Sequence, residues 1–154
     1  FIMKENLIIK EAAVEDAEKI GDAFDLYRQF YKKDPNKIIS IEYIKQRLTN
    51  KESTIFFVEE DNVCIGFVQL YVTFDSLELG KKVVLYDLFV RSEHRKKGIG
   101  AMLMNTSKDF AENNNITGIE LSTAISNGKA QSLYESLGYE RDNEFYSYYL
   151  STKK

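Results

Sequence analysis

The segment Arg95-Lys96-Lys97-Gly98-Ile99-Gly100-Ala101 sets three cations and two glycines between an apolar, strand-like run at 82–91 and an amphipathic, helix-like run beginning at Ile99. A helix start offers unpaired N–H groups and the positive end of the peptide dipoles. Glycine lets the backbone approach a ligand and adopt positive φ, and Arg or Lys adds charge-assisted bonds to phosphate. The spacing predicts a site for one small anion; the plain alternative is a solvated basic loop. Within the apolar run, Asp87 is the one acid. Its plain reading is a paired structural carboxylate. His94, in the same loop, reads as solvated, and Cys64, inside a strand-like run, as a core residue. No His, Cys and acid cluster has metal-ligand spacing and no Ser-His-Asp set is visible, so no metal and no triad are expected.

Several classes are argued against. Gly98-Ile99-Gly100 lacks the third glycine of a dinucleotide fingerprint, position 103 being Leu, and no Gly-Lys is followed by Ser or Thr as a P-loop requires. A formal net charge of −3 is unlike a general nucleic-acid binder. No apolar run reaches the roughly 20 residues that span a bilayer, so no membrane partner is expected. The first dozen residues lack the pattern of a secretory signal, and the single cysteine cannot form an internal disulfide. A cytoplasmic protein is the expectation. Phe1 and Ile2 precede the first Met and are candidates for an extraneous remnant, so one domain is expected over 3–154.

The elements that must position the loop follow from periodicity. A short strand is predicted at 7–10. A helix then starts in the acidic turn Val14-Glu15-Asp16 and carries Ala17, Ile20, Phe24, Tyr27 and Tyr31 at spacings of three and four. Pro35 breaks it, and a second helix is expected with Ser40 as N-cap and Ile39 stapled to Ile44. Runs at 54–60 and 63–73, joined by Asp61-Asn62, read as a hairpin. Both faces of its second arm are apolar, which predicts a central strand, and Gly66 marks a bulge or a close contact. After the 82–91 strand, a helix from Ile99 with Met102, Leu103, Thr106 and Phe110 on one face ends near 113–115. Another strand is expected at 117–123, a short helix at about 129–137 with Gly138 after it, and an extended aromatic strand at 145–150. The order implies an α/β (α+β) fold, a single mixed sheet with helices on both faces, partly antiparallel and locally parallel across the helix after Gly100.

Two motifs carry a resemblance. RKKGIGAML after DLFV resembles the pyrophosphate loop, and NGKAQSLYESLGY resembles the acceptor-side helix, of the GNAT superfamily of acyl-CoA-dependent N-acetyltransferases. Both occur in the family's order and spacing, and the order of elements follows the family over nearly the whole chain. GFVQLYVTFDS and LGYERDNEFYSYYL resemble a bacterial subgroup. The resemblance implies a GNAT-like fold, with a central, mostly antiparallel sheet flanked by helices on both faces, and acetyl-CoA as co-substrate. It implies that the amides of Lys96, Lys97, Gly98, Ile99, Gly100 and Ala101, with Arg95, wrap the coenzyme A pyrophosphate. Main-chain groups of Leu88, Phe89 and Val90 would pair with the pantetheine arm and polarise the thioester carbonyl. Tyr134 matches the tyrosine that protonates the departing thiolate; an ordinary phenol, with pKa about 10, is a proton donor at neutral pH, and the alternative is core packing. Asn127 matches a residue that bonds the pantetheine amides, and its alternative is a helix N-cap.

Similar enzymes often place an acid on this strand near the amine, which implies for Asp87 a proton acceptor or an anchor for a cationic acceptor. The expected function is therefore transfer of an acetyl group from acetyl-CoA to a primary amine by direct attack, with Tyr134 and Asp87 as the catalytic pair. The first-helix aromatics Tyr27 and Tyr31, with Phe24, Phe30 and Asp25, either line a pocket for a small cationic acceptor or are core. A non-catalytic acyl-CoA-binding or sensing module is the alternative. The family's habit and the aromatic terminal strands point to a homodimer.

Overall fold

The structure, a computed structural model, describes residues 7–154. The predicted domain start therefore lies outside the described residues. The chain forms two compact units, one ending at Ser122 and one running Thr123–Lys154.

The first unit holds a five-stranded sheet in the order β1 (Ile8–Glu11), β2 (Thr54–Glu60), β3 (Val63–Asp75), β4 (Gly80–Val90), β5 (Ile119–Glu120). The first three pairings are antiparallel and β4 with β5 is parallel. Helices α1 (Ala17–Phe30) and α2 (Lys37–Thr49) cover one face, where Ile20, Phe24 and Ile44 pack with Ile55, Phe57, Phe67 and Phe89. Helix α3 (Ile99–Asn113) lies on the other, with Phe110 edge-on to Phe56. Side chains alternate along a strand, so Phe56 and Phe57 serve opposite layers. That two-sided cover is why β3 is apolar on both faces.

Local chemistry sets the elements. Helix α1 buries Ala17, Ile20, Ala23 and Phe24, a three-and-four spacing, and ends where Lys32 turns left-handed at φ 60°. Gly21 lies on its α2-facing side: an added Cβ would stand 2.5 Å from Ile41 Cα. The backbones are too close for a methyl group, so Gly21→Ala should destabilise by about 1–3 kcal/mol in denaturant melts despite the better helix propensity of alanine. An unchanged or raised midpoint would show that α1 and α2 separate readily.

The α2 cap differs from expectation. Asn36 is the N-cap, its Oδ1 accepting from Ile39 N at 3.2 Å, and the helix begins one turn before the predicted Ser40. Ser40 is instead buried and donates to Asp25 Oδ1 at 2.9 Å, while Ile39 is 59% exposed and staples nothing. Two good capping residues four apart compete, and the one directly after Pro35 wins.

Asp61 and Asn62 both have positive φ, 50° and 65°, as a two-residue hairpin turn matched to strand twist requires. Pairing passes from Val58–Gly66 to Glu59–Cys64, which makes Ile65 an extra residue beside Gly66. Gly66 itself is a close contact: a Cβ there would meet Phe89 O at 3.0 Å and Ile99 Cγ2 at 3.2 Å, so it lets the start of α3 settle on the sheet. A second irregularity, from Gln69–Asp87 to Leu70–Leu85, leaves Tyr86 unpaired in β4.

Helix α3 is rotated from the predicted face. Ile99, Leu103, Met104, Ser107 and Ala111 are buried, while Met102, Thr106 and Phe110 are half-buried. The buried Ser107 hydroxyl donates to Leu103 O at 2.8 Å, so a serine is satisfied where apolar periodicity would not place one. Strand β5 has two residues rather than seven. In the second unit α4 (Gly128–Ser136) is followed by Gly138 at φ 90°. Residues 145–150, the expected last strand, have no regular structure. Their own unit contains no strand to complete a ladder, and β-propensity without a partner forms none.

Candidate active site

On the first unit, β4 ends in a built turn. Arg91 donates its N–H to Ile65 O at 2.8 Å, its Nε to Cys64 O at 2.7 Å and its Nη2 to Asp22 Oδ2 at 2.8 Å. Lys37 adds a contact to Asp22 at 3.0 Å. Partial burial pushes the Asp22 carboxyl up, but the bonds from Arg91 and Lys37 outweigh it and hold the group below its ordinary range. This network fixes the chain where it enters the basic loop. His94 is not solvated as expected: its Nε2 lies 2.8 Å from Glu60 Oε2 and its ring is largely covered.

Beyond it, Lys96 (φ 62°) and Gly98 (φ 80°) turn left-handed and lead into α3. The first intrahelical bond is Met102 N to Gly98 O at 3.0 Å, and no side chain caps the helix. The amides from Gly98 to Ala101 are thus left for a partner, unlike those of α2 and α4, each capped by an asparagine. This open, positively framed turn fits a diphosphate. Lys96 and Lys97 are exposed. Arg95 folds back, its Nε donating to Val90 O at 2.9 Å and its guanidinium lying over Phe30 and Phe89 at 5.7 and 5.8 Å. On its outer side β4 pairs with β5 only at Val83 and Val84, so among the described residues the edge carrying Leu88, Phe89 and Val90 has no strand partner there. An unpaired edge has main-chain donors and acceptors to offer an extended ligand.

A pocket of about 270 Å³ opens on the α1/α2 face, lined by Phe24, Tyr27, Tyr31, Tyr43, Tyr71 and Tyr86, with Arg28 and Lys33 and the carboxylate of Asp87. Asp87 is only 5% exposed. Gln69 Nε2 donates to its Oδ2 at 2.7 Å, and Ser53 Oγ in turn donates to Gln69 Oε1 at 2.8 Å, which fixes the amide's orientation. Burial drives the Asp87 carboxyl above its ordinary pKa, while hydrogen bonds from Gln69 and Tyr27 oppose part of the rise. The Tyr27 phenol is pushed upward by its own burial, then by the Asp87 charge and hydrogen bond, and so stays a donor. The hydroxyls of Tyr43 and Tyr71 are 3.2 Å apart, and Arg47 stacks on Tyr43 at 4.4 Å, bracing that wall.

Asp25 does not line the pocket. Its carboxylate accepts from Asn36 N at 2.9 Å, Ser40 Oγ at 2.9 Å and Gln29 Nε2 at 3.0 Å, tying α1 to the start of α2. Cys64 is fully buried and its thiol is pushed up to about 12 by burial, which removes a thiolate nucleophile from consideration. No group of three His, Cys, Asp or Glu able to hold a metal occurs among the described residues. No described helix is long and apolar enough to cross a membrane.

The second unit carries the other two candidates. Asn127 is the N-cap of α4, its Oδ1 accepting from Ala130 N at 3.2 Å. Tyr134 is half-buried on α4, its ring 6.1 Å from that of Tyr139.

The model of the acetyltransferase (GNAT) family matches residues 20–139, which includes the loop, β4 and α4. The chain belongs to that family. A Bacillus subtilis (strain 168) relative described as uncharacterized N-acetyltransferase YhfO is 41% identical over 143 residues, covering 93% of this chain and 96% of that protein. A crystal structure of a probable acetyltransferase superposes with a TM-score of 0.89 at 32% identity, over 96% of this chain and 99% of the other. A predicted acetyltransferase from Clostridium acetobutylicum, solved with acetyl-CoA, shares the fold, with a TM-score of 0.76 at 17% identity over 93% and 96% of the two chains. The protein is thus a GNAT-type N-acetyltransferase, and its acyl donor class is that of the family. The non-catalytic alternative is not favoured, since the relatives carry acetyltransferase names.

Proposed function

We propose that the protein moves the acetyl group of acetyl-CoA directly onto a small primary amine held in the aromatic pocket, with Asp87 taking the amine proton. The observation that carries this reading is the buried Asp87 carboxylate, held by Gln69 and Tyr27 in a pocket with six aromatic rings. Rings and a carboxylate both favour an amine. A base of raised pKa is also nearer to neutral than an ordinary Asp. The thioester supplies the electrophilic carbonyl. The amine nitrogen forms the new C–N bond, the C–S bond breaks as the tetrahedral oxyanion collapses, Asp87 accepts the proton lost from nitrogen, and Tyr134 gives one to the sulfur. A main-chain N–H on the open β4 edge at Leu88–Val90 would stabilise the oxyanion.

The roles of Tyr134 and Asn127 rest on their positions in the motif. Asn127 keeps its Nδ2 for a pantetheine carbonyl while its Oδ1 caps α4. We also propose a single domain, which the family match across residue 122 supports. The loop amides hold the pyrophosphate, with Arg95, Lys96 and Lys97 adding charge. Gly98→Ala should weaken acetyl-CoA binding about tenfold, since a Cβ at φ 80° costs about 1–2 kcal/mol. Calorimetric titration checks this, and an unchanged Kd would remove the loop from the donor site. We further propose a homodimer in a reducing cytoplasm. The exposed Phe145, Tyr146, Tyr148 and Tyr149 support the first part and the lone, unpaired Cys64 the second. A monomeric mass by sedimentation equilibrium would contradict the dimer.

The test is thiol release from acetyl-CoA with a panel of small primary amines, with the product identified by mass. Amine-dependent release and an N-acetyl product are expected. Acetyl-CoA binding without turnover of any amine would overturn the reading.

A further inference from the structure

The acceptor pocket carries more positive than negative charge. Arg28 and Lys33 line it together with a single acid, Asp87. Arg28 has one ion pair, Nη1 to Asp25 Oδ1 at 3.6 Å, and reaches Asp34 O from the same nitrogen at 3.4 Å, so its Nε and Nη2 donors stay open. The short hydrogen bonds to Asp25 come from the neutral donors Asn36, Ser40 and Gln29. Lys33 is exposed and has no ion-pair partner among the described residues, while its main-chain N–H donates to Arg28 O at 3.0 Å, so the turn after α1 holds the two residues together. The turn itself is left-handed at Lys32. The other lining groups, Phe24, Tyr27, Tyr31, Tyr43, Tyr71 and Tyr86, bring no counter-charge.

A polycation placed in this pocket would set its further charges against Arg28 and Lys33 with one carboxylate to offset them. Like charges a few ångströms apart repel more strongly beside an apolar wall than in water. A planar guanidinium with unspent donors is suited to a carboxylate, which it can grip with two parallel bonds. We propose that the acceptor is an amine that also bears a carboxylate, an amino-acid-like zwitterion, its amine directed to Asp87 and its carboxylate to Arg28 and Lys33. The inference rests on the acetyl-transfer reading above and narrows it. A pocket of about 270 Å³, at the small end for ligand sites, suits a single compact acceptor of this kind.

The experiment measures thiol release from acetyl-CoA with matched acceptors: each of a set of amino acids, its carboxamide, and the amine left on removing the carboxyl group, with spermidine as the polycation. The acids should exceed their carboxamides by about ten- to a hundredfold in kcat/KM, the range for a hydrogen bond between charged groups. Spermidine should be the poorest acceptor. Lys33→Glu should reverse the order, favouring the bare amines. Arg28→Gln should bring the acid-to-amide ratio towards one, with Arg28→Lys restoring part of it. Carboxamides or spermidine turned over as well as the acids would overturn the inference while leaving the acetyl-transfer reading intact. So would an unchanged ratio in a Lys33→Glu variant that melts like the parent. Failure of every amine, with acetyl-CoA still bound, would instead overturn the acetyl-transfer reading and this inference with it.

Discussion

Tyr134→Phe is expected to lower kcat by about a hundredfold or more while changing the Kd for acetyl-CoA by less than about threefold. General acid catalysis by a placed side chain contributes roughly 10²–10⁴. The phenol's one unique contribution is its O–H, since the ring and its contact with Tyr139 survive the substitution. The thiolate then leaves without a proton donor, so the barrier rises in the chemical step and not in binding. A parallel loss of binding and turnover would assign Tyr134 to structure. Turnover equal to the parent would remove it from the mechanism.

The second large effect is expected of Asp87→Asn. The amide keeps the shape and can still meet Gln69 and Tyr27 but cannot accept a proton at neutral pH, and kcat should fall by about a hundredfold or more. The pH dependence carries a separate signature. Asp87 acts as a base only when ionised, so the acid limb of kcat should lie above the ordinary carboxylate range and should vanish in the variant. Stability moves the other way. The folded pKa is above the unfolded one, so the folded state holds the proton more tightly, and stability falls as pH rises through the window between the two values. Removing the charge should leave the melting temperature at neutral pH equal or higher. A variant of lower stability and normal kcat would make Asp87 a structural carboxylate.

Much of this was legible in the residues, and the misses have definite causes. The loop, β4, the hairpin turn at Asp61-Asn62 and the ends of α1, α3 and α4 follow from glycine, proline and asparagine positions, whose backbone preferences act locally. The face of α3 and the cap of α2 depended on which of two adequate side chains met its partner, and only tertiary contacts decide that. The final strand was misread because strand propensity does not supply a ladder partner. Within the site, Asp87 stood out as one acid in an apolar strand. Its partner Gln69 gave a parallel signal, one amide in the apolar strand beside it, that register alone could pair with Asp87. Arg28, Lys33, Tyr43, Tyr71 and Tyr86 carried no such mark. They come from four elements and a turn, and each alone reads as surface or core. Asp25 illustrates the converse. A carboxylate next to helix aromatics suggested a substrate contact, but Asp25 is turned to the start of α2, where Asn36 and Ser40 donate to it, and away from the pocket lining.

The central claim is direct transfer between two molecules bound at once, and initial rates of thiol release at varied acetyl-CoA and varied amine test it most directly. Double-reciprocal lines that intersect are predicted, since the open β4 edge and the Asp87 pocket are separate sites filled together. Parallel lines, accompanied by an acetylated protein isolable before amine is added, would contradict it.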